Sequence, residues 1–400
     1  MAPRQLHPDS PWLLALLAAL VALGPLSVDM YLPAMPSMMR DFGTDISHMH
    51  LTLSSYLTGF ALFHLACGPL ADRFGRKPLL LGGTGLFVVA CVGCSQSGSV
   101  QELLLFRFLQ GVGACVGPTL ARAVARDVYG PAGAARALSL IAMLMALAPA
   151  VAPTLGGLLL LVLPWPSVFI FLGVYGVATI ILIRVFLAES LPQVQSLHPR
   201  VIARNYRELL ADPFFLTVTV TSGLVYAGLM VYLASSSFVY IDMLGVPPQY
   251  FGLIFLGSVA GYMAGSAASA NLARRHDSEQ IMRLGIILAM AAGCLLLACS
   301  SGWPTSVFAI MLPMMLYSVA MGLVLPHAMA IALRPFAHIA GTASALLGFI
   351  QMSLAAGASA LTGLFLSTTP QPMVWLLLAI VSTSLALGLR SHALYARTRP

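Results

Sequence analysis

Charge is what this sequence has least of. Of its 400 residues only 8% are Asp, Glu, Lys or Arg, against 59% hydrophobic, where a soluble chain carries about 25% charged residues. A third of that supply cannot cover a soluble surface with ionised groups. Disordered chains and ordinary cytosolic enzymes are therefore excluded, and a mean hydropathy of +0.91 agrees. Lysine is scarcer still, since Lys77 is the only one among the 20 basic residues. The net charge of +7 does not point to nucleic acid, which needs basic residues clustered on a wettable face. Here they sit in short gaps between apolar runs, as in membrane proteins. The six cysteines (Cys67, Cys91, Cys94, Cys115, Cys294, Cys299) all fall inside apolar runs, which argues against a disulfide framework. Cys91-x-x-Cys94 has no second pair or nearby ligand and reads as packing rather than a redox or metal pair. Also missing are the G-x-x-x-x-G-K-[ST] phosphate loop, H-E-x-x-H, G-x-S-x-G and paired intramembrane acids. ATP-driven pumping within this chain and membrane-embedded catalysis are excluded, and no metal site is expected.

What the chain does have is long apolar runs. A bilayer core needs about 20 apolar residues per helix. Such runs cover approximately 12–36, 50–71, 78–96, 102–123, 137–161, 167–187, 213–237, 248–271, 280–300, 304–330, 338–365 and 371–390. They are continuous and do not alternate with period two, so they are helices rather than barrel strands. The prediction is an all-α membrane protein of twelve transmembrane helices. The first run continues past Gly24 to about Pro36, longer than a signal-peptide core, and reads as an uncleaved helix. The polar stretch Ala188–Asp212, with Arg200, Arg204 and Arg207, divides the chain into two six-helix halves. The expected domains are 1–187, a central cytoplasmic loop 188–212, and 213–400, a plan shared by many secondary transporters. With both termini cytoplasmic, eighteen of the 20 basic residues fall on the inner side; Arg40 lies outside and Arg107 within a span. The positive-inside rule therefore fixes the orientation. Asp41, Asp45, Glu102 and Asp242 are expected outside.

Apart from histidine, two ionisable groups lie well inside spans: Asp29 and Arg107. A charge at the centre of a membrane helix costs about 2.5–3.5 kcal/mol on insertion scales and is a functional candidate by default. The alternative is a structural Asp29–Arg107 pair locking the first span to the fourth. Asp29 sits in Asp29-Met30-Tyr31-Leu32-Pro33-Ala34-Met35-Pro36. Proline removes the hydrogen bond to the carbonyl four residues earlier, so Pro33 frees that of Asp29, Pro36 that of Leu32 and Pro25 that of Val21. The first helix should bend or loosen around the acid. In lipid that is tolerated only where the backbone faces protein or a wet cavity. In the fourth span Arg107, Gln110, Gly111, Ala114 and Pro118 share one face. Such a small-residue face suits close helix packing. The fifth carries Pro149, Ala152, Pro153, Gly156 and Gly157, a hinge or a packing site.

These residues resemble the major facilitator superfamily. Gly68-Pro-Leu-Ala-Asp72-Arg73-Phe-Gly75-Arg76-Lys77 looks like its GxLaDrxGrk signature, which implies a conformational latch. Its glycines suit a tight turn, and Asp72 can cap a helix end or pair with arginines. Arg107-x-x-Gln110-Gly111 is similar to the helix-4 motif associated with proton transfer. Ala152-Pro153-x-x-Gly156-Gly157 is similar to the antiporter motif GPxxGG, with Ala152 replacing the first glycine. The Asp29–Pro36 segment, including Tyr31, resembles the helix-1 motif of drug:proton antiporters. Together they most resemble the Bcr/CflA (bicyclomycin and chloramphenicol resistance) family.

The resemblance implies a multi-pass exporter of the bacterial inner membrane. It would extrude small, largely apolar antibiotics by alternating access, using the proton gradient and no cofactor, and would act as a monomer. A proton-coupled carrier of an endogenous metabolite would share every motif. Asp29 and Arg107 are the expected proton-coupling residues. Some relatives carry a second acid where this chain has Val21, so one proton per cycle is expected. His64 and His327 either contribute or are hydrogen-bonded interior residues. Met30, Met35, Tyr56, Phe60, Tyr232, Tyr240, Met314, Met315 and Tyr317 are candidate cavity walls, since methionine adapts its shape and tyrosine adds a polar tip.

Overall fold

A computed structural model describes residues 11–191, 199–303, 305–366 and 369–398. The expected central loop is thus described except for 192–198, and the terminal residues 1–10 and 399–400 lie outside the described residues. The described residues contain helices and no strands. In chain order the α-helices are α1 (Pro11–Asp29), α2 (Met35–Asp41), α3 (Ile46–Phe74), α4 (Arg76–Gln96), α5 (Val100–Ala114), α6 (Val116–Val162) and α7 (Pro166–Phe186). They continue with α8 (Pro199–Ala211), α9 (Pro213–Ser237), α10 (Pro248–Leu272), α11 (Ser278–Gly302), α12 (Val307–Leu333), α13 (Ala340–Phe365) and α14 (Gln371–Thr398). Among the described residues, 11 helices are long and apolar enough to cross a membrane, and Val151–Val162 adds a shorter apolar stretch.

The chain is thus an all-helical, multi-pass membrane protein. Polar punctuation sets its helix ends. Ser99 accepts from the Glu102 amide at 3.3 Å while Glu102 accepts from Gly98 at 2.8 Å, a reciprocal cap for α5. Asp212 accepts from the Phe215 amide at 2.6 Å, with Pro213 at the first helical position of α9.

One element departs from expectation. The spans expected at 102–123 and 137–161 are not separated by a loop; helical backbone runs from Val116 to Val162. Even so, the segment doubles back. A Cβ on Gly117 would strike the Leu20 carbonyl, and one on Gly156 the Met30 carbonyl. Along α1 those two points are roughly 15 Å apart at 1.5 Å per residue. A straight helix would hold Gly117 and Gly156 roughly 58 Å apart. Two antiparallel passes therefore leave from and return to α1.

The chain forms two compact units, one of Met1–Thr44 and Ser55–His198, the other of Asp45–Ser54 and Pro199–Pro400. The division falls inside the polar stretch 188–212, and the opening turns of α3 pack with the second unit. In the first unit α1 packs on α6 and α7, and α4 lies between α5 and α7. In the second, α12 packs on α10 and α11, and α9 on α13 and α14. Close approach depends on small residues. Gly111 abuts the Tyr56 carbonyl between α5 and α3, and Gly265 abuts that of Val319 between α10 and α12. Dispersion at short range is what holds helices together in a solvent as apolar as their own side chains.

Candidate functional site

The side chain of Arg107 organises the first unit. It is fully buried on α5, and its guanidinium lies between two rings, 4.2 Å from the Tyr31 centroid and 4.5 Å from that of Tyr56. Desolvated contacts of this kind are worth about 2 kcal/mol or more. Nη1 donates to the Ser27 carbonyl at 3.1 Å and to Gln110 Oε1 at 2.6 Å. Gln110 Nε2 in turn donates to Cys91 Sγ at 3.1 Å, tying α4, α5 and α1 together. The α1 helix ends at Asp29, so the Ser27 carbonyl is among the last four that find no partner within the helix. Arginine fills that vacancy. Its Nε and Nη2 have no hydrogen-bond partner.

Arg107 and Asp29 are not paired. None of the described ion pairs includes either residue, so the locking pair is replaced by an arginine bound to a helix-end carbonyl two residues from the acid. Asp29 itself is 4% exposed and is the last residue of α1. After it the backbone passes through a 3-10 turn, Leu32–Ala34, containing Pro33, and then into α2, where Pro36 occupies the first turn. The prolines of the sequence thus mark a real break. Gly156 packs on it: a Cβ there would lie 2.5 Å from the Met30 carbonyl oxygen and 3.0 Å from Pro33 Cγ. Pro153, Gly156 and Gly157 are buried and Pro149 half-buried. The glycine of this motif serves close packing against α1.

At the other end of the unit, the latch signature begins inside α3, so Gly68 is helical and is not part of a turn. The turn is at Gly75, whose φ of +100° suits glycine alone. Asp72 Oδ1 accepts from Arg76 Nη1 at 2.7 Å, and Arg76 Nε reaches Asp127 Oδ2 on α6 at 3.1 Å. Asp72 does not cap a helix. That role falls to Glu189, just beyond α7. Its carboxylate accepts from the Arg76 amide at 2.9 Å and the Lys77 amide at 3.1 Å, at the positive end of α4. Lys77 Nζ donates to the Arg184 carbonyl at 3.2 Å, and Arg73 is exposed. Sequence reasoning missed Asp127 and Glu189. Glu189 had one available signal, an isolated acid directly after an apolar span.

The candidate cavity residues fall into both units. In the first, Met30, Met35, Tyr56 and Phe60 are buried, with Tyr56 Oη donating to the Gly24 carbonyl at 3.3 Å. In the second, Tyr232 and Tyr240 join hydroxyls at 3.3 Å and stack into a cluster with Phe251 and Phe255. Tyr240 lies in a π-helical stretch, Phe238–Met243, that follows α9, a rare geometry frequent at functional sites. Tyr317 donates to the Val225 carbonyl at 2.7 Å. Met314 is buried, and the Met315 carbonyl meets Gly261. Both flagged histidines are hydrogen-bonded inside their units: His64 Nδ1 is 3.8 Å from Cys115 Sγ, and His327 Nε2 is 2.8 Å from Ser269 Oγ. All six cysteines are free thiols.

Comparison with known proteins places this geometry in context. The sequence matches the family described as Major Facilitator Superfamily over residues 17–360. It is 33% identical over 365 residues to the "Uncharacterized MFS-type transporter YdgK" of Bacillus subtilis (strain 168), covering 90% of each chain. It is 32% identical over 334 residues to "Multidrug resistance protein MdtL" of Escherichia coli (strain K12 / DH10B), covering 84% of each. Among solved structures it resembles a bacterial homolog of the human lysosomal transporter Spinster, with a TM-score of 0.75 and 15% identity over 97% of this chain and 98% of that one. The nucleoside transporter NupG gives a TM-score of 0.76 and 14% identity over 96% and 98% of the two chains. At these identities the solved structures speak to the fold alone.

Proposed function

The chain belongs to the major facilitator superfamily, a membrane transporter of small molecules and not an enzyme, and from that premise we propose that it is a drug:proton antiporter of the Bcr/CflA type. One observation carries the proposal. The buried acid Asp29 and the anchor of the buried arginine, the Ser27 carbonyl, belong to the same helix end. A change in the protonation of Asp29 therefore acts on the backbone that holds Arg107. The relatives called multidrug resistance proteins support the drug as cargo. The substrates are small, largely apolar antibiotics such as bicyclomycin- or chloramphenicol-like compounds.

In the proposed cycle Asp29 releases its proton to the cytoplasm, drug binds, access alternates, and reprotonation from outside accompanies drug release. The proton gradient is the energy source and no cofactor takes part. One charge crossing 100 mV yields about 2.3 kcal/mol, and one pH unit adds about 1.4 kcal/mol. One proton per neutral drug then supports a gradient of several hundredfold, enough for resistance. The protein acts as a monomer in the bacterial inner membrane, with both termini cytoplasmic.

The test is drug susceptibility of an efflux-deficient bacterium expressing the native chain or Asp29→Asn, with everted vesicles to follow proton movement. Resistance that needs Asp29 and a proton gradient is expected. Equal resistance from Asp29→Asn without a gradient would overturn the coupling. Gradient-dependent proton movement with no drug of a broad panel, but with a metabolite, would reassign the cargo.

A further inference from the structure

A polar node in the first unit takes no part in the cycle above. His64, Cys67, Cys115 and Thr119 meet where α5 gives way to α6. The helix is interrupted at Cys115, which lies between α5 and α6. Pro118 has no N–H to offer the Ala114 carbonyl. At this break Cys115 Sγ is 3.8 Å from His64 Nδ1 and 3.7 Å from Thr119 Oγ1, and Cys67 lies beside Cys115. Cys67 and Cys115 are fully buried, and His64 is 7% exposed.

The position of the node matters. Tyr56, Phe60 and His64 follow one another at intervals of four on α3, with ring centroids 6.4 Å and then 6.0 Å apart. Tyr56 covers the Arg107 guanidinium. Eight residues beyond His64 lies Asp72, bound to Arg76. Each interval of eight is about 12 Å, so His64 stands midway between the arginine cage and the latch. Across from it, α1 carries no ionisable side chain between Trp12 and Asp29. Its Gly24 meets Phe60, and α1 and α3 run in opposite directions. Asp29 and His64 are then separated by about 13 Å along the helices.

The chemistry of the node fits a group that gains and loses a proton. Histidine alone among side chains changes charge between about pH 5 and 8 without perturbation. A thiol can donate to a neutral imidazole nitrogen and accept from a protonated one. When His64 is charged, Nδ1–H donates to Cys115 Sγ and the thiol proton turns to Thr119 Oγ1. A carboxylate in that place would favour the charged form. None of the described ion pairs includes His64. His64 meets Phe60 on its own helix and Cys115 across from it, and Cys115 in turn meets Thr119. One turn further along, Arg122 Nε donates to the Pro118 carbonyl at 2.8 Å.

We propose that His64, held by the Cys115 thiol at the α5–α6 break, is a proton carrier of the first unit. It takes the proton that leaves Asp29 and returns it to water on the cytoplasmic side. The inference rests on the proton-coupled reading. Asp29 becomes a carboxylate as His64 becomes an imidazolium, and the imidazolium then gives the same proton to water. No other bond forms or breaks.

The test uses the full chain in proteoliposomes. The infrared S–H stretching band of Cys115, isolated by difference from Cys115→Ser, is followed across a pH titration. In the native protein the band shifts as the imidazole takes its proton. In His64→Gln, which keeps a hydrogen-bonding partner but cannot titrate, it stays fixed. A native band that does not move across the titration, or one that moves equally in His64→Gln, overturns the carrier.

Everted vesicles with chloramphenicol as probe give the second arm. There His64→Gln reduces drug-driven proton movement several-fold and flattens its pH profile, while the thermal midpoint is unchanged. If the native chain moves protons with the drug and His64→Gln does so at the same rate and with the same pH profile, the carrier is wrong and coupling stands. If the native chain moves none, the coupled reading falls first and takes the carrier with it.

Discussion

Gly156→Ala puts one methyl group where α6 meets the break in α1. A Cβ built there lies 2.5 Å from the Met30 carbonyl oxygen, 3.0 Å from Pro33 Cγ and 3.1 Å from Met30 Cα. Ordinary contact begins at 3.4 Å, so the two segments must part by close to an ångström. Neither neighbour can swing aside, since one is backbone and the other a proline ring. Overpacking of this kind costs about 1–3 kcal/mol. Alanine's better helix propensity returns about 0.5–1 kcal/mol; with rigid backbone and a proline ring as the neighbours the overpacking cost lies at about 2–3 kcal/mol, leaving a net loss of about 1–2 kcal/mol. Gly68→Ala is the control. It makes the same chemical change inside α3, but nothing lies within 4 Å of the new Cβ, so only the propensity gain remains.

The assay is the thermal midpoint of the full chain in detergent, read by tryptophan fluorescence. For a unit of this size about 2–4 °C accompanies each kcal/mol. Gly156→Ala should melt about 2–8 °C below the native protein, and Gly68→Ala at or above it. A Gly156→Ala protein as stable as the native one would show that α1 and α6 do not touch at this point. The packing account of the antiporter motif would then fail.

Two further outcomes follow from charges at helix ends. Glu189→Ala removes the acceptor for the Arg76 and Lys77 amides; losing a cap costs about 1 kcal/mol, so exchange of the Lys77 amide should quicken about fivefold, and an unchanged rate would refute the cap. Glu189→Gln keeps an acceptor and loses only the charge–dipole part, about 0.3–1 kcal/mol, and should fall between the two. Asp45 is held below the ordinary carboxylate range, first by the His48 amide and then by its imidazole. A group whose folded pKa is lowered contributes stability above its unfolded value and loses it as pH falls through the folded one. The first turn of α3 should therefore stay closed down to about pH 4 and fray below it, followed by exchange of the His48 amide. Fraying that begins well above that value would contradict the assignment.

The spans, the break after Asp29 and the turn at Gly75 were legible because each depends on local chemistry. Apolar length makes a span, Pro33 and Pro36 remove backbone donors, and a positive φ asks for glycine. The reach of Arg76 to Asp127 and of Glu189 to the start of α4 was not legible. Each joins residues far apart in sequence through a shared helix end, and an acid beside a basic turn looks the same whether or not it bonds there. A loop was expected between the fourth and fifth spans because the apolar runs break between 123 and 137. Helical backbone nevertheless continues through that stretch, because polar residues at the edge of a membrane are compatible with helix.

The least legible feature was the partner of Arg107. Two buried charges of opposite sign invite pairing, and a sequence has no letter for a free carbonyl. The structure gives the arginine a helix end, a glutamine and two tyrosine rings instead. That choice has a functional consequence. A guanidinium beside an acid favours its charged form, whereas an acid without such a partner takes up a proton more readily. The two nitrogens of Arg107 left without acceptors, Nε and Nη2, each forgo about 1–3 kcal/mol of hydrogen bonding. The site thus holds a positive charge still short of a counter-charge, two residues along the backbone from the group that would supply one on losing its proton. Under the proposed coupling, the separation of Asp29 from Arg107 leaves the acid able to take up a proton without first breaking an ion pair.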